Sequence, residues 1–205
     1  FNFNDIQCQF HTCNSVSDEY KNIYVSSMTL DKDDNLILSY KVVLIKNKGH
    51  VSLRYTSENI YITKFNWNKF TLIKFFDSKN NVNSRFSDHT WYDIKKHYKL
   101  LNIVNLRIDS NNNIYIIGQT KFQNWFGKAN GKQDIVIIKI NINGDILWGK
   151  LIGTSEDDVA YNILLNNDNI VFYGNSNGVL YSSKGKFIAC LSSNDGHFKW
   201  GKSED

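Results

Sequence analysis

Two stretches of the chain read alike: Asp134-Ile-Val-Ile-Ile-Lys-Ile-Asn-Ile-Asn-Gly-Asp-Ile-Leu-Trp-Gly-Lys150 and Lys186-Phe-Ile-Ala-Cys-Leu-Ser-Ser-Asn-Asp-Gly-His-Phe-Lys-Trp-Gly-Lys202. Gly144 aligns with Gly196 and Trp148 with Trp200, and a Gly-Lys pair follows each tryptophan. A second box precedes each stretch. Asn105-Leu-Arg-Ile-Asp-Ser-Asn-Asn-Asn-Ile-Tyr-Ile-Ile-Gly118 matches Asn162-Ile-Leu-Leu-Asn-Asn-Asp-Asn-Ile-Val-Phe-Tyr-Gly174. Short β-branched and aromatic runs bounded by Asn, Asp, Gly and Ser are strands joined by turns. Asn143-Gly144-Asp145 and Asn194-Asp195-Gly196 are hairpin signals that ask for positive φ at the glycine.

Working outward, weaker copies appear. Met28-Thr-Leu-Asp-Lys-Asp-Asp-Asn-Leu-Ile-Leu-Ser39 is another first box, and Phe70-Thr-Leu-Ile-Lys-Phe-Phe-Asp-Ser-Lys-Asn-Asn81 reads as another third strand and turn. Residues 5–23 resemble residues 145–163. The repeat of about 52 residues has the length of a propeller blade. We expect four strands per repeat: 23–30, 35–45, 69–77 and 82–87; then 103–109, 113–119, 133–141 and 145–152; then 160–165, 169–175, 186–192 and 196–202. The expected fold is an all-β propeller segment of about three blades plus a stray N-terminal strand at 4–12. One strand and three blades fall short of the smallest usual ring of four, so the segment is expected to belong to a larger ring or to be completed by a partner. The divisions are 1–20 (last strand of a preceding blade and link), 21–100 (degenerate blade with insertions), 101–153 and 154–205.

Composition narrows the function classes. The 205 residues are 41% hydrophobic and 14% aromatic, which excludes a disordered chain, and no apolar run has the length of a membrane span. Net charge is +4, but only Arg54, Arg85 and Arg107 are arginine and the lysines are scattered. Abundant Lys, Asn, Ile, Tyr and Phe with no Pro mark A/T-rich coding, as in some parasites, so the basic balance does not argue for nucleic acid. Cys8, Cys13 and Cys190 make no disulfide framework, although Cys8 and Cys13 lie close enough in sequence to pair. Cys190 sits in an apolar strand, where a structural thiol is expected.

At these boxes the sequence resembles the β-propeller repeat (SBBP-like) of secreted and cell-surface bacterial and archaeal proteins. The residues that carry the resemblance are Asp134, Lys139, Gly144, Trp148, Gly153, Thr154, Asp157, Asp158, Ala160, Ile163 and Gly174. It is good over 103–175, fair over 176–202 and poor over 1–100. There Ser39 stands for the glycine, the tryptophan is missing, and 46–68 and 78–102 read as insertions. The resemblance implies a binding or structural propeller at the cell surface or beyond it. It supplies no catalytic residues.

Candidate sites have competing readings. Asp31-x-Asp33-x-Asn35 and Asp109-x-Asn111-x-Asn113 have calcium-loop spacing, but each sits between strands where a hairpin needs Asx residues, and Val42 and Thr120 stand where the twelfth-position acid belongs. Glu156, Asp157 and Asp158 are expected to fix an inter-blade turn. His11, His50, His89, His97 and His197 show no metal or nucleophile motif. Trp148 and Trp200 recur and are read as packing residues. In every repeat the connection between second and third strands reads as long, at 46–68, 120–133 and 176–185. Successive connections would share one side of a propeller, gathering Trp67, Phe122, Trp125, Phe126 and Tyr181 into a binding face rimmed by Lys121 and Lys128. The competing reading folds Trp125 and Phe126 back over the blade edge.

The function expected from these readings is a non-enzymatic, secreted or surface-exposed scaffold that binds a protein or another part of the same propeller, with no cofactor and no metal. A carbohydrate-binding propeller is the alternative, because aromatic and Asn-rich loops suit sugars, and a propeller hydrolase is the third reading.

Overall fold

The computed structural model describes residues 19–48, 53–66, 69–76, 101–121, 126 and 130–204. Among the described residues, twelve strands form three four-stranded antiparallel sheets, each a meander in chain order. Sheet 1 holds β1 (Glu19–Leu30), β2 (Leu36–Lys48), β3 (Leu53–Asn66) and β4 (Lys69–Phe76). Sheet 2 holds β5 (Asn102–Ile108), β6 (Ile114–Thr120), β7 (Asp134–Ile140) and β8 (Ile146–Ile152). Sheet 3 holds β9 (Asp158–Asn166), β10 (Asn169–Leu180), β11 (Ser183–Ser192) and β12 (Phe198–Ser203).

Sheets 2 and 3 follow the expected strands closely; sheet 1 does not. The stretch read as an insertion, 46–68, is mostly ladder: β2 and β3 stay in register from Leu36↔Phe65 out to Lys48↔Leu53. Residues 69–76 are therefore the fourth strand and not the third. Lys- and Asn-rich sequence reads as loop, yet the backbone ladder between two strands forms whatever their side chains. The 176–185 connection is likewise strand, with β10 and β11 joined across Tyr181 and Ser182. Tyr181 takes a left-handed φ of 66° to make that turn. The strands expected at 4–12 and 82–87, and Cys8 and Cys13, lie outside the described residues.

The sheets share one template. The first strand of each carries a bulge at the same place, between Val25 and Ser27, between Ile103 and Asn105, and opposite Tyr173/Gly174 in β9. Gly118 and Gly174 lie opposite the residue before the bulge, pairing with Ile103 and Ala160. A Cβ at Gly118 would come within 2.3 Å of the Asn102 carbonyl oxygen, and one at Gly174 within 2.0 Å of that of Val159. These contacts explain the glycine. In sheet 1 the equivalent residue is Tyr40, paired with Val25, and not Ser39. The Tyr40 ring stacks on Tyr61 at 5.3 Å.

First strands touch in succession, β1 against β5 and β5 against β9. A chain of side-chain hydrogen bonds runs through them at the bulges. Ser27 Oγ donates to Asn105 Oδ1 (2.8 Å), and Asn105 Nδ2 donates to Asn162 Oδ1 (2.6 Å). Each Asn oxygen also accepts the next backbone N–H, from Leu106 and Ile163, so the donor near each bulge finds a partner.

Sheet 2 is covered on both faces. Ile114, Ile116, Val136, Ile138 and Ile140 pack with Ile37, Ile60 and Ile62 of sheet 1. Tyr115, Ile117, Ile135 and Ile137 pack with Ile163, Ile170, Phe172, Phe187 and Ala189 of sheet 3. This is why β7 carries an apolar run at 135–138 and is buried along its whole length. On the sheet 3 side one carbonyl collects three donors. The Ser193 oxygen accepts from Lys139 Nζ (3.0 Å), from Trp148 Nε1 (3.3 Å) and, through a proton shared with Asp109, from Tyr115 Oη (3.3 Å).

Trp148 thus sits between sheets, edge-on to Tyr115, and Gly196 leaves room for its ring: a Cβ there would lie 3.0 Å away. Trp148→Ala is expected to cost about 3 kcal/mol, the low end for removing a large aromatic because the ring is half-buried. Urea unfolding measures this, and a loss under about 1 kcal/mol would place the indole outside the seam.

Candidate functional site

Of the five aromatics expected to form a binding face, two are described. Trp67, Phe122 and Trp125 lie outside the described residues. Trp67 also falls between β3 and β4, so it is not in the second-to-third connection. Phe126 and Tyr181 are described, and they do the same structural job. The Phe126 ring lies on Gly149, where a Cβ would come within 2.4 Å of it. The Tyr181 ring lies on Gly201, where a Cβ would come within 2.5 Å. Tyr181 also stacks on Phe198 at 5.4 Å and meets Phe187 edge-on at 5.8 Å. Gly149 and Gly201 are the glycines of the repeated Trp-Gly-Lys. The motif thus pairs an indole with a bare backbone site that takes an aromatic ring from the connection before β7 or β11.

The Asp and Asn pairs between first and second strands are hairpin devices. Asp31 Oδ1 accepts the Asp33 and Asn35 N–H groups, and Asp109 Oδ1 accepts those of Asn111 and Asn113, all at 2.9 Å. Burial opposes the Asp109 charge, but hydrogen bonds from Asn113, Tyr115 and Asn111 outweigh it and hold the carboxyl below its usual value. Among the described residues no three His, Cys, Asp or Glu side chains gather as metal ligands. His197 faces Asp195 at 3.6 Å on an exposed turn, and the Ser183 hydroxyl donates to the Glu204 carbonyl. Cys190 is buried, and burial pushes its thiol up, as suits a structural sulfur.

The acidic link does fix an inter-sheet turn. Asp158 Oδ2 accepts the Thr154 N–H at 2.6 Å and the Thr154 hydroxyl at 3.1 Å, while exposed Glu156 pairs with Lys132 at 2.8 Å. A matching turn precedes β7, where Asp134 Oδ2 accepts the Asn130 N–H at 2.7 Å. The two fully buried carboxylates face the same glycine. A Cβ at Gly153 would lie 2.4 Å from Asp134 Oδ1 and 2.9 Å from Asp158 Oδ2. The Oδ1 atoms of both acids have no hydrogen-bond partner.

What sequence reasoning missed is the outer face of sheet 3. On β9 to β12 it exposes Tyr161, Leu164, Tyr173, Ile188 and Trp200. Register shows what these positions mean. Tyr173, Ile188 and Trp200 occupy the places of Ile117, Ile137 and Trp148 in sheet 2, which sheet 3 covers. A shallow groove of about 380 Å³ borders this face along β11 and β12, lined by Lys186, Phe187, Ile188, Lys202, Ser203 and Glu204. Trp200 was legible as a repeat of Trp148; nothing in the sequence said that no sheet would cover it.

No protein-family model matches the chain, and no curated protein matches it significantly.

Burial and the neighbouring Asp158 push the Asp134 carboxyl above its usual value of 3.8, against the hydrogen bonds it accepts. A raised carboxyl favours folding below the unfolded value, and that stability is lost as pH rises through the folded one. Asp134→Asn is therefore expected to raise the urea midpoint at about pH 7 and leave it unchanged at about pH 3, where the acid is protonated in both states. A lower midpoint at neutral pH would mean that the buried charge is compensated.

Proposed function

We propose that the chain is a segment of a β-propeller and acts without catalysis, as a scaffold for protein interaction. One observation carries the reading. Three like sheets stack face to face through their first strands, and the last sheet leaves uncovered the apolar face that its neighbour uses for packing. Propeller blades meet in this way, with their first strands nearest the axis. An apolar sheet face left in water is a docking surface. The resemblance of residues 103–202 to the repeat of secreted and cell-surface propellers supports a place outside the cytoplasm. Among the described residues no helix is long and apolar enough to cross a membrane.

The test is to expose the immobilised chain to native extract and, in parallel, to a glycan array. Saturable recovery of a second protein without sugar binding is the expected result. Saturable binding to one sugar class with no protein recovered would replace the scaffold with a lectin.

A further inference from the structure

We infer that the uncovered face of sheet 3 is occupied by sheet 1 of a second copy of this chain, so that two copies associate head to tail. The inference rests on the propeller reading and deepens it by naming the partner at this face.

Within the chain every seam has the same polarity: the face of one sheet that carries Ile37 or Tyr115 receives the face of the next that carries Leu106 or Ile163. On the receiving face, Ile62 and Ile137 are fully buried under the next sheet, and their counterpart Ile188 is 42% exposed. Ile117 is fully buried, and its counterpart Tyr173 is 45% exposed. On the inserting face, Leu106 of β5 and Ile163 of β9 are fully buried, while Met28, the same position of β1, is 57% exposed. Leu30, which stands where Ile108 and Leu165 join the cores, is 58% exposed. The stack thus shows a free receiving face at one end and a free inserting strand at the other, and these are the two halves of its own internal seam.

The free part of sheet 1 is its first-strand end, since Leu38 and Tyr40 farther along the same face are already buried. That suffices, because the internal seams also run through first strands, β1 on β5 and β5 on β9. The chemistry of the open end suits such an occupant. Where sheet 2 offers Tyr115 and Lys139 to the Ser193 carbonyl, sheet 3 has Val171 and Cys190. Its face needs apolar side chains opposite Val171 and Cys190, which Met28 and Leu30 supply, while the Trp200 indole and the Tyr161 and Tyr173 hydroxyls ask for acceptors. A seam of this polarity is heterologous, so copies add head to tail and close where the rotation permits. Two copies of three sheets make six, within the usual range of propeller rings.

The test uses complementary variants of the whole chain. Sedimentation velocity across a dilution series is expected to show wild type above its monomer mass of 23.8 kDa, dissociating on dilution. Ile188→Asp, which spoils the receiving face, and Met28→Asp, which spoils the inserting strand, should each sediment as folded monomers, with wild-type far-ultraviolet circular dichroism. An equimolar mixture of the two should form a heterodimer, because each retains the half that the other lacks. Wild type that stays monomeric at its highest soluble concentration overturns the inference. So does association that survives Met28→Asp, which would signal a symmetric contact between two sheet 3 faces. A monomeric chain that still captures a second protein would sink the head-to-tail pair and leave the scaffold reading standing.

Discussion

The hydrogen-bonded chain from Ser27 through Asn105 to Asn162 is the constraint on which the rest of the structure depends. It lies where three first strands meet, and it meets two needs with the same atoms. Each asparagine oxygen takes the backbone N–H that follows it, and the amide reaches across to the next sheet. Arg107 adds to the chain, donating to Asn105 Oδ1 at 2.6 Å and to Asn162 Oδ1 at 3.3 Å. A part-buried polar network of this kind favours one arrangement, since another register leaves donors unpaired. Apolar packing alone would let the sheets slide: Ile against Ile is much the same one residue along. The asparagine chain removes that freedom and sets the first strands side by side, and the twist of each sheet then carries its outer strands apart.

From that anchor the faces divide the work. Sheet 2, covered twice, has isoleucine or valine at eight of the fourteen positions of β6 and β7. Its seam with sheet 3 is additionally fixed by three donors on the Ser193 carbonyl, among them Lys139, whose ammonium also lies 5.1 Å from the Tyr115 ring centre. A buried lysine needs such partners, since an unpaired charge there would cost several kcal/mol, on the order of the whole fold's stability. Sheet 3 keeps the indole and drops the tyrosine and lysine. At those two places its outer face is apolar, with Val171 and Cys190.

Much of this was legible in residues and some was not. The strands of sheets 2 and 3 followed from β-branched runs between Asn, Asp and Gly turns, because there local propensity and tertiary demand agree. Sheet 1 was misread because its long hairpin is written in Lys, Asn and Ser, whose side chains carry no signal for backbone pairing. The misplacement of the glycine position at Ser39, one residue before Tyr40, has the same origin: only cross-strand register locates the bulge. The Asp31 and Asp109 turns were read correctly, since Asx geometry is local. The aromatics of the connections were harder. Phe126 and Tyr181 look like exposed anchors by composition, and only the bare backbone at Gly149 and Gly201 reveals where their rings rest. The open face of sheet 3 was illegible for a different reason. Its residues are those of a covered face, and exposure belongs to the assembly of sheets, not to any one strand.

The most direct test of the account is amide hydrogen exchange of the wild-type chain at low protein concentration. Strand pairing is equivalent in the central strands of sheets 2 and 3, so a difference between them reports how many faces are covered. The account predicts that amides of β6 and β7 exchange at least about tenfold more slowly than those of β10 and β11, because sheet 2 lies between two neighbours and sheet 3 has one. Equal protection in the two pairs, or faster exchange in β6 and β7, would contradict a stack with sheet 2 at its centre.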